Sequence, residues 1–302
     1  MCFIMSVSVI LDGKEWRKMK MKRIVTLQDI SCVGSCSLTV ALPVISAMGV
    51  ECGILPTAVL STHTMFKNFT VKDLSDQIEP IADAWEKEQI DFEGIYTGYL
   101  ASAEQCRQIC EFFDRFKKEN TTIVVDPAMA DNGKLYLAFD EKFPAEMAKV
   151  CAKADVIIPN ITEAALLTGM PYKTEHDRAY VRELLERLLK LGCKTAAITG
   201  VSYEENKLGV AALDQEGKEF EYFTHKCAQS FHGTGDAYSS VVVGGLMRGL
   251  SLGDSLKLAA DFVVACIEGT MASEDARTYA VDFQNQIPFL CAELQKKLSN
   301  RD

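Results

Sequence analysis

Short apolar runs alternate with amphipathic stretches along the chain from residue 23 onward. The segment 23–28 predicts a strand that ends in a polar, glycine-containing loop, and 37–48 predicts a helix closed by Gly49. A second strand is predicted over 51–55 and a second helix over 73–89. This repeated order of strand and helix is typical of an α/β protein.

The same order continues to residue 199, after which the pattern changes. Ser102 and Gln105 have the spacing of a capping box and predict the start of another helix. Further strands are predicted at 95–97, 121–125, 156–158 and 195–199, and further helices at 162–168 and around 181–189. The runs 208–213 and 219–224, joined by a polar turn, predict an antiparallel hairpin added to a mostly parallel sheet, and the remainder is predicted to be mostly helical.

Domain organisation follows from the absence of a linker-like or repeated segment. We expect a single domain over residues 21–302 and a disordered extension over 1–20. Within that extension the apolar run precedes the positive charges, which reverses the order found in a secretory signal. We therefore predict a cytoplasmic protein.

Composition narrows the classes of partner. The chain has 302 residues, 48% of them hydrophobic and 25% charged, and its formal net charge of -10 has the wrong sign for a nucleic-acid or anionic-membrane binder. No apolar stretch approaches the roughly 18 residues that span a bilayer. The 11 cysteines are scattered through segments that look core-forming, which favours reduced thiols in a cytosol.

Polar residues follow five of the predicted strands. In a parallel sheet the ligand site lies beyond the carboxyl ends of the strands, so we expect these residues to converge. Residues of these types are also ordinary turn residues, and that interpretation stays open for any single one. The positions are Gln28 and Asp29, Thr97 to Tyr99, Asp126 and Pro127, Pro159 and Asn160 with Glu163, and Thr199 and Gly200.

The run from His232 to Asp236 precedes a segment that resembles a buried helix. Gly233 and Gly235 would let backbone amides at the start of that helix surround an anion such as a phosphate. Asp236 would lie beside that charge, although a carboxylate at a helix start is also simply favourable there. The chain has no Walker-type phosphate loop, so a loop of that type does not explain this glycine-rich run.

Asn160 and Glu163 have a spacing that suits Mg²⁺, because this ion takes oxygen ligands and often keeps several of its waters. Asp126 and Asp131 would add negative charge to the surroundings of the metal and the triphosphate. Alternatively, Glu163 is a helix-start charge that complements the helix dipole.

These motifs resemble the ribokinase-like superfamily and, within it, the vitamin B6 kinases, from about residue 22 to residue 290. The resemblance is carried by five segments in the expected order: Ser61 to Thr64, Thr97 to Gln105, Asp126 to Met129, Pro159 to Glu163 and Gly233 to Asp236. It implies a three-layer α/β fold, a homodimer, ATP as phosphate donor, Mg²⁺ and a B6 vitamer as substrate. Dependence on a monovalent cation is left open.

The resemblance also implies roles for individual residues. Asp236 would be the catalytic base, and Gly233, Thr234 and Gly235 would form the anion hole. The pyridine pocket would be lined by Gln28, Asp29, Thr64 and Tyr99. The metal and phosphates would be served by Asp126, Asp131, Asn160 and Glu163, and Thr199 would approach ATP.

Two departures from the family pattern bear on the substrate. Many B6 kinases have Gln-Ser-His after the first strand, whereas this chain has Gln28, Asp29 and Ile30. Asp29 would bond a ring hydroxyl or attract an amine, or else cap the following loop.

Hydroxymethylpyrimidine kinases carry Cys at the position of Asp236, so Asp236 favours the B6 branch. The alternatives are a pyrimidine or other small-alcohol kinase on the same fold and a non-catalytic sensor of B6 or nucleotide. His63 is a lesser candidate for substrate contact.

Overall fold

A computed structural model describes residues 21–274, 276–277 and 279–300. The extension predicted at 1–20 lies outside the described residues. Among the described helices, none is long and apolar enough to cross a bilayer.

Nine strands form one sheet in the order β11-β10-β9-β8-β5-β4-β1-β2-β3. They are β1 (Arg23–Ser31), β2 (Glu51–Leu60), β3 (Val71–Asp73), β4 (Gly94–Thr97), β5 (Thr122–Val125), β8 (Val156–Ile157), β9 (Thr195–Val201), β10 (Lys207–Asp214) and β11 (Glu219–His225), with a separate two-stranded hairpin of β6 (Ala130–Asp131) and β7 (Lys134–Leu135). The six central strands are parallel, β3 is antiparallel at one edge, and β10 and β11 are antiparallel at the other. The predicted mostly parallel sheet with an added hairpin is confirmed.

Helices cover both faces of the sheet. They are α1 (Leu38–Ala47), α2 (Ser75–Lys87), α3 (Ala103–Phe116), α4 (Phe143–Cys151), α5 (Ile161–Thr168), α6 (Arg178–Leu189), α7 (Thr234–Met247), α8 (Leu252–Ala272) and α9 (Ile287–Ser299), with a short 3₁₀ turn at Gln284–Gln286. Alternate residues of a strand point to opposite faces. Val25 and Leu27 of β1 therefore join the core under α2 to α6, whereas Ile24 joins the core under α1, α7 and α8. The two cores give the expected three layers.

The predicted element ends differ from the observed ones mainly around proline and short edge strands. Strand β2 runs five residues beyond the predicted 51–55 and continues through Pro56. Proline has no N–H to donate to a neighbouring strand, and it is tolerated here because the pairing of β1 with β2 is irregular between Gln28 and Ile30. The helix predicted from residue 73 begins at Ser75, since Asp73 belongs to the edge strand β3 and its carboxylate accepts the Ser75 N–H at 2.7 Å.

Candidate active site

The carboxyl ends of the parallel strands bring the predicted polar residues together at one edge of the sheet. Asp126 directly follows β5, and its N–H bonds to the Thr97 carbonyl at the end of β4. Asn160 follows β8 and pairs in a parallel bridge with Thr199 of β9. The strand ends therefore form one continuous rim, and α7 begins against this rim.

The glycine-rich turn at the start of α7 is shaped by two close approaches. Gly233 has φ 83, and a Cβ there would lie 2.2 Å from the Ser35 carbonyl oxygen, so no other residue fits without displacement. Gly235 has no atom within 4 Å of a Cβ position. The Thr234 hydroxyl donates to the Phe231 carbonyl at 3.0 Å and fixes the turn. Open space beside the first-turn amides of a 14-residue helix suits a phosphate.

Asp236 lies in the first turn of α7 and is partly exposed. Burial raises the pKa of its carboxyl to about 7, and the negative charges of Asp126 and Asp29 add to the rise, whereas the backbone N–H of Ser37 lowers it. A general base works best when its pKa is close to the operating pH. A pKa of about 7 gives Asp236 the properties of a base that is partly ionised at neutral pH and readily protonated.

Asp126 is tied to the same helix. The Ser239 hydroxyl donates to its carboxylate at 2.7 Å, and burial raises the pKa of Asp126 to about 6. Burial raises the pKa of the Tyr136 hydroxyl, and so do the charges of Glu163, Asp126, Asp131 and Asp236. Asp131 itself is exposed on the β6–β7 hairpin, where its carboxylate accepts from the Asn132 N–H at 2.8 Å.

Asn160 and Glu163 form a complete capping box at the start of α5. The Asn160 side-chain oxygen accepts from the N–H groups of Thr162 and Glu163 at 2.8 and 3.0 Å. One Glu163 oxygen accepts from the Met129 N–H at 3.0 Å, and the other accepts from the Asn160 N–H at 2.8 Å. Burial and the charge of Asp126 raise the pKa of Glu163 well above its usual range.

This arrangement does not fit direct Mg²⁺ coordination by Asn160 and Glu163. Glu163 is only 2% exposed and its oxygens serve backbone donors. In the described ranges, no group of three His, Cys, Asp or Glu side chains is placed to hold a metal ion. Contact with Mg²⁺ through bound water stays a prediction.

The four residues predicted to line the pyridine pocket differ in their surroundings. Gln28 is fully buried: its Nε2 donates to the Thr26 hydroxyl, and its Oε1 has no hydrogen-bond partner. The pKa of the Tyr99 hydroxyl is raised to about 12, mainly by burial and also by the charge of Asp29. Thr64 is exposed in the loop between β2 and β3.

The Asp29 carboxylate is hydrogen-bonded to two serines. Its carboxylate accepts from the Ser37 hydroxyl at 2.6 Å and from the Ser31 hydroxyl at 3.0 Å, and it is only 4% exposed. Burial raises the pKa of Asp29, whereas the two serine hydroxyls lower it. These contacts favour the alternative that Asp29 holds the following loop.

His63 links the β2–β3 loop to the segment after α8. Its Nδ1 accepts the Met65 N–H at 3.3 Å, so its Nε2 carries the proton that is donated to the Tyr279 carbonyl at 2.9 Å. Its ring stacks on His232 with a centroid separation of 5.3 Å. Beside this contact, a cavity of about 350 Å³ is lined by Gly34, Ser35 and described residues that include Thr270, Tyr279 and Asp282.

Three residues of the site, Ser37, Ser239 and Tyr136, were not predicted from the sequence. Ser239 donates to Asp126, which is 113 residues away, and Ser37 donates to Asp29 across the β1–α1 loop, so no local period marks either serine. Tyr136 had a weak signal, since it follows the Asp126 to Asp131 segment by only five residues.

Comparison with known proteins agrees with this architecture. A family model for phosphomethylpyrimidine kinase matches residues 39–279. The Lactobacillus plantarum pyridoxal kinase structure is 33% identical with a TM-score of 0.83, covering 90% of this chain and 98% of that one. A Bacteroides thetaiotaomicron protein, provisionally described as a phosphomethylpyrimidine kinase and crystallised with pyridoxal, is 35% identical with a TM-score of 0.86, covering 90% and 96%.

Curated relatives include both substrate classes. The Dictyostelium discoideum pyridoxal kinase is 25% identical over 75% of this chain and 78% of its own length. The Bacillus subtilis hydroxymethylpyrimidine/phosphomethylpyrimidine kinase is 26% identical over 82% of each. The chain belongs to the phosphomethylpyrimidine kinase family and, with its vitamin B6 kinase relatives, to the ribokinase-like kinases.

Proposed function

We propose that this kinase transfers the γ-phosphoryl group of ATP to the 5′-hydroxymethyl group of pyridoxal, pyridoxine or pyridoxamine, as in salvage of vitamin B6 to pyridoxal 5′-phosphate. The observation that carries the proposal is the position of Asp236. Its carboxylate, with a pKa raised to about 7, lies in the first turn of α7 beside the open space at Gly235.

In the proposed reaction, Asp236 accepts the proton of the substrate hydroxyl as that oxygen attacks the γ-phosphorus, and the bond from the γ-phosphorus to the β,γ-bridging oxygen breaks so that ADP leaves. The amides from Gly233 to Gly235 stabilise the negative charge on the transferred group. Phosphoryl transfer depends on alignment and charge stabilisation more than on covalent chemistry. Here the anion site supplies the charge stabilisation, and the base on the same helix turn supplies the alignment.

The remaining site residues are proposed to divide between the two substrates. Tyr99 and Gln28, with Thr64 on the neighbouring loop, would contact the pyridine ring, and the unpartnered Gln28 oxygen supports a polar contact there. Asp126, Asp131 and Thr199 would border the triphosphate. Mg²⁺ would enter with ATP, and any contact from Asn160 or Glu163 would pass through water.

Hydroxymethylpyrimidine is the second candidate substrate, because the matching family model is that of phosphomethylpyrimidine kinase. Asp at position 236, where the resemblance places Cys in pyrimidine kinases, favours the B6 vitamers. A homodimer in the cytoplasm remains part of the proposal.

A substrate panel tests the proposal. ATP consumption and phosphorylated product should be measured with pyridoxal, pyridoxamine and hydroxymethylpyrimidine under identical conditions. We expect kcat/KM to be higher for at least one B6 vitamer than for the pyrimidine. A preference for the pyrimidine would overturn the B6 assignment, and ligand-dependent thermal stabilisation without any product would indicate a sensor.

A further inference from the structure

The loop between β1 and α1 adopts a backbone conformation that side chains with a Cβ disfavour. Ser35 has φ 50, and Ser37 has φ 54 with ψ −127. Positive φ is uncommon outside glycine, and such strain persists only where surrounding contacts over-determine it. The contacts of Ser37 therefore have to hold it in place.

Ser37 interacts with two carboxylates that come from distant parts of the chain. Its hydroxyl donates to Asp29 of β1 at 2.6 Å. The backbone N–H of Ser37 lowers the pKa of the Asp236 carboxyl. Its carbonyl accepts the N–H of Ala41 at 2.9 Å in the first turn of α1. The hydrogen bonds of Ser37 thus join β1 to α1.

The same loop packs directly against the candidate anion hole. The Ser35 carbonyl oxygen would be 2.2 Å from a Cβ on Gly233, so the two backbones are in close contact. The second oxygen of Asp29 accepts the Ser31 hydroxyl, so both of its oxygens are bonded within this loop. With 4% of its surface exposed, Asp29 has little area left for a substrate.

We infer that Ser37 and Asp29 are positioning residues for phosphoryl transfer. Asp29 holds the Ser37 hydroxyl and with it the loop of residues 35–37, whose Ser35 carbonyl packs against Gly233. This contact fixes the start of α7, and therefore the position from which the Asp236 carboxylate meets the substrate hydroxyl. The inference rests on the proposed role of Asp236 as the base. It assigns to both residues an effect on turnover without contact to either substrate.

A double-mutant cycle tests the link. Ser37→Gly removes the hydroxyl and relieves the positive φ, which offsets part of the stability lost when the buried Asp29 carboxylate loses this donor. Asp29→Ala removes the acceptor. We expect each variant to lower kcat by about 10-fold, the scale of a modest misalignment of reacting groups, with both KM values within about 2-fold of wild type. The double variant should also fall by about 10-fold, because both changes cut one link.

Two further variants serve as controls. Ser31→Ala removes the other hydroxyl on Asp29 without touching Ser37, and kcat should stay within about 2-fold of wild type. Asp29→Asn keeps an acceptor for Ser37 and should restore kcat relative to Asp29→Ala, and it replaces that variant in the cycle if Asp29→Ala does not fold. Multiplied losses of about 100-fold in the double variant would overturn the inference. A raised KM for the alcohol with unchanged kcat would also overturn it, since Asp29 would then touch substrate.

Hydrogen exchange provides a readout that needs no substrate. The 34–37 amides should exchange faster in Ser37→Gly than in wild type or Ser31→Ala, and equal rates would contradict the link. This separates the two proposals: a wild-type protein that phosphorylates none of the three alcohols defeats the proposed function, whereas equal exchange rates defeat the positioning role.

Discussion

The Ser239 hydroxyl donates a 2.7 Å hydrogen bond to the carboxylate of Asp126, and this bond joins the first turns of α7 to the end of β5. It also lowers the pKa of Asp126 against the effect of burial. Two parts of the site that are 113 residues apart in sequence are thereby fixed relative to each other.

Ser239→Ala should lower the free energy of unfolding by about 1–3 kcal/mol, because a buried carboxylate oxygen loses its donor. Urea unfolding measures the change. Ser240→Ala is the matched control: its hydroxyl is equally buried but donates to the Asp236 carbonyl within the same helix rather than to a carboxylate. Equal losses in both variants would show that the bond to Asp126 has no special weight.

The two glycines of the anion hole should respond differently to alanine. Gly233→Ala places a Cβ against the Ser35 carbonyl at φ 83, so it should lower the unfolding temperature. Gly235→Ala meets no atom within 4 Å, so folding should be unchanged, while the methyl group enters the space proposed for the phosphate and turnover falls. Thermal unfolding and steady-state kinetics on both variants check this. Full activity in Gly235→Ala would place the phosphate elsewhere.

The pH dependence of turnover should report Asp236. The base must be ionised, and its pKa is raised to about 7, so kcat/KM should fall about tenfold per pH unit below that value. Asp126→Asn removes a negative charge that raises this pKa, so the acidic limb should move to lower pH. An unshifted limb would mean that another group titrates.

Stability should depend on pH in the opposite sense. Because the folded-state pKa of Asp236 is raised, the folded protein binds a proton more tightly than the unfolded chain, and stability should increase as pH falls through about 7. At pH 8, Asp236→Asn removes the free-energy cost of burying this charge. The unfolding temperature should therefore rise, by about 2–4 °C for each kcal/mol of that cost. Glu119→Gln, a change at an exposed carboxylate, is the control and should have no such effect. A lower unfolding temperature in Asp236→Asn would contradict the cost assigned to burying this charge.

Hydrophobic periodicity predicted most of the fold because buried strands and amphipathic helices each carry their pattern locally. It missed β3 and the β6–β7 hairpin, which are two or three residues long and largely exposed, so no period can be recognised. It ended β2 early because Pro56 ordinarily interrupts a strand.

Part of the candidate site could be predicted from the sequence, because polar residues follow the strands and the glycine-rich turn precedes a helix. The sequence indicated Asp126, Asn160 and Asp236, but not how their oxygens are used. Asn160 and Glu163 satisfy each other's backbone in a capping box, and Asp29 bonds to Ser37, eight residues further along the chain. The capping box is local and only the use of its oxygens was missed, whereas the contact of the β1–α1 loop with the start of α7 depends on the tertiary fold.

Turnover of pyridoxal by wild type and by Asp236→Asn tests whether Asp236 is the base of a vitamin B6 kinase. Asn keeps the size of the side chain but cannot accept the hydroxyl proton. Wild type should form pyridoxal 5′-phosphate, and the variant should bind ATP equally well with kcat reduced about 100-fold or more. An Asp236→Asn enzyme that phosphorylates pyridoxal at the wild-type rate would contradict this role of Asp236.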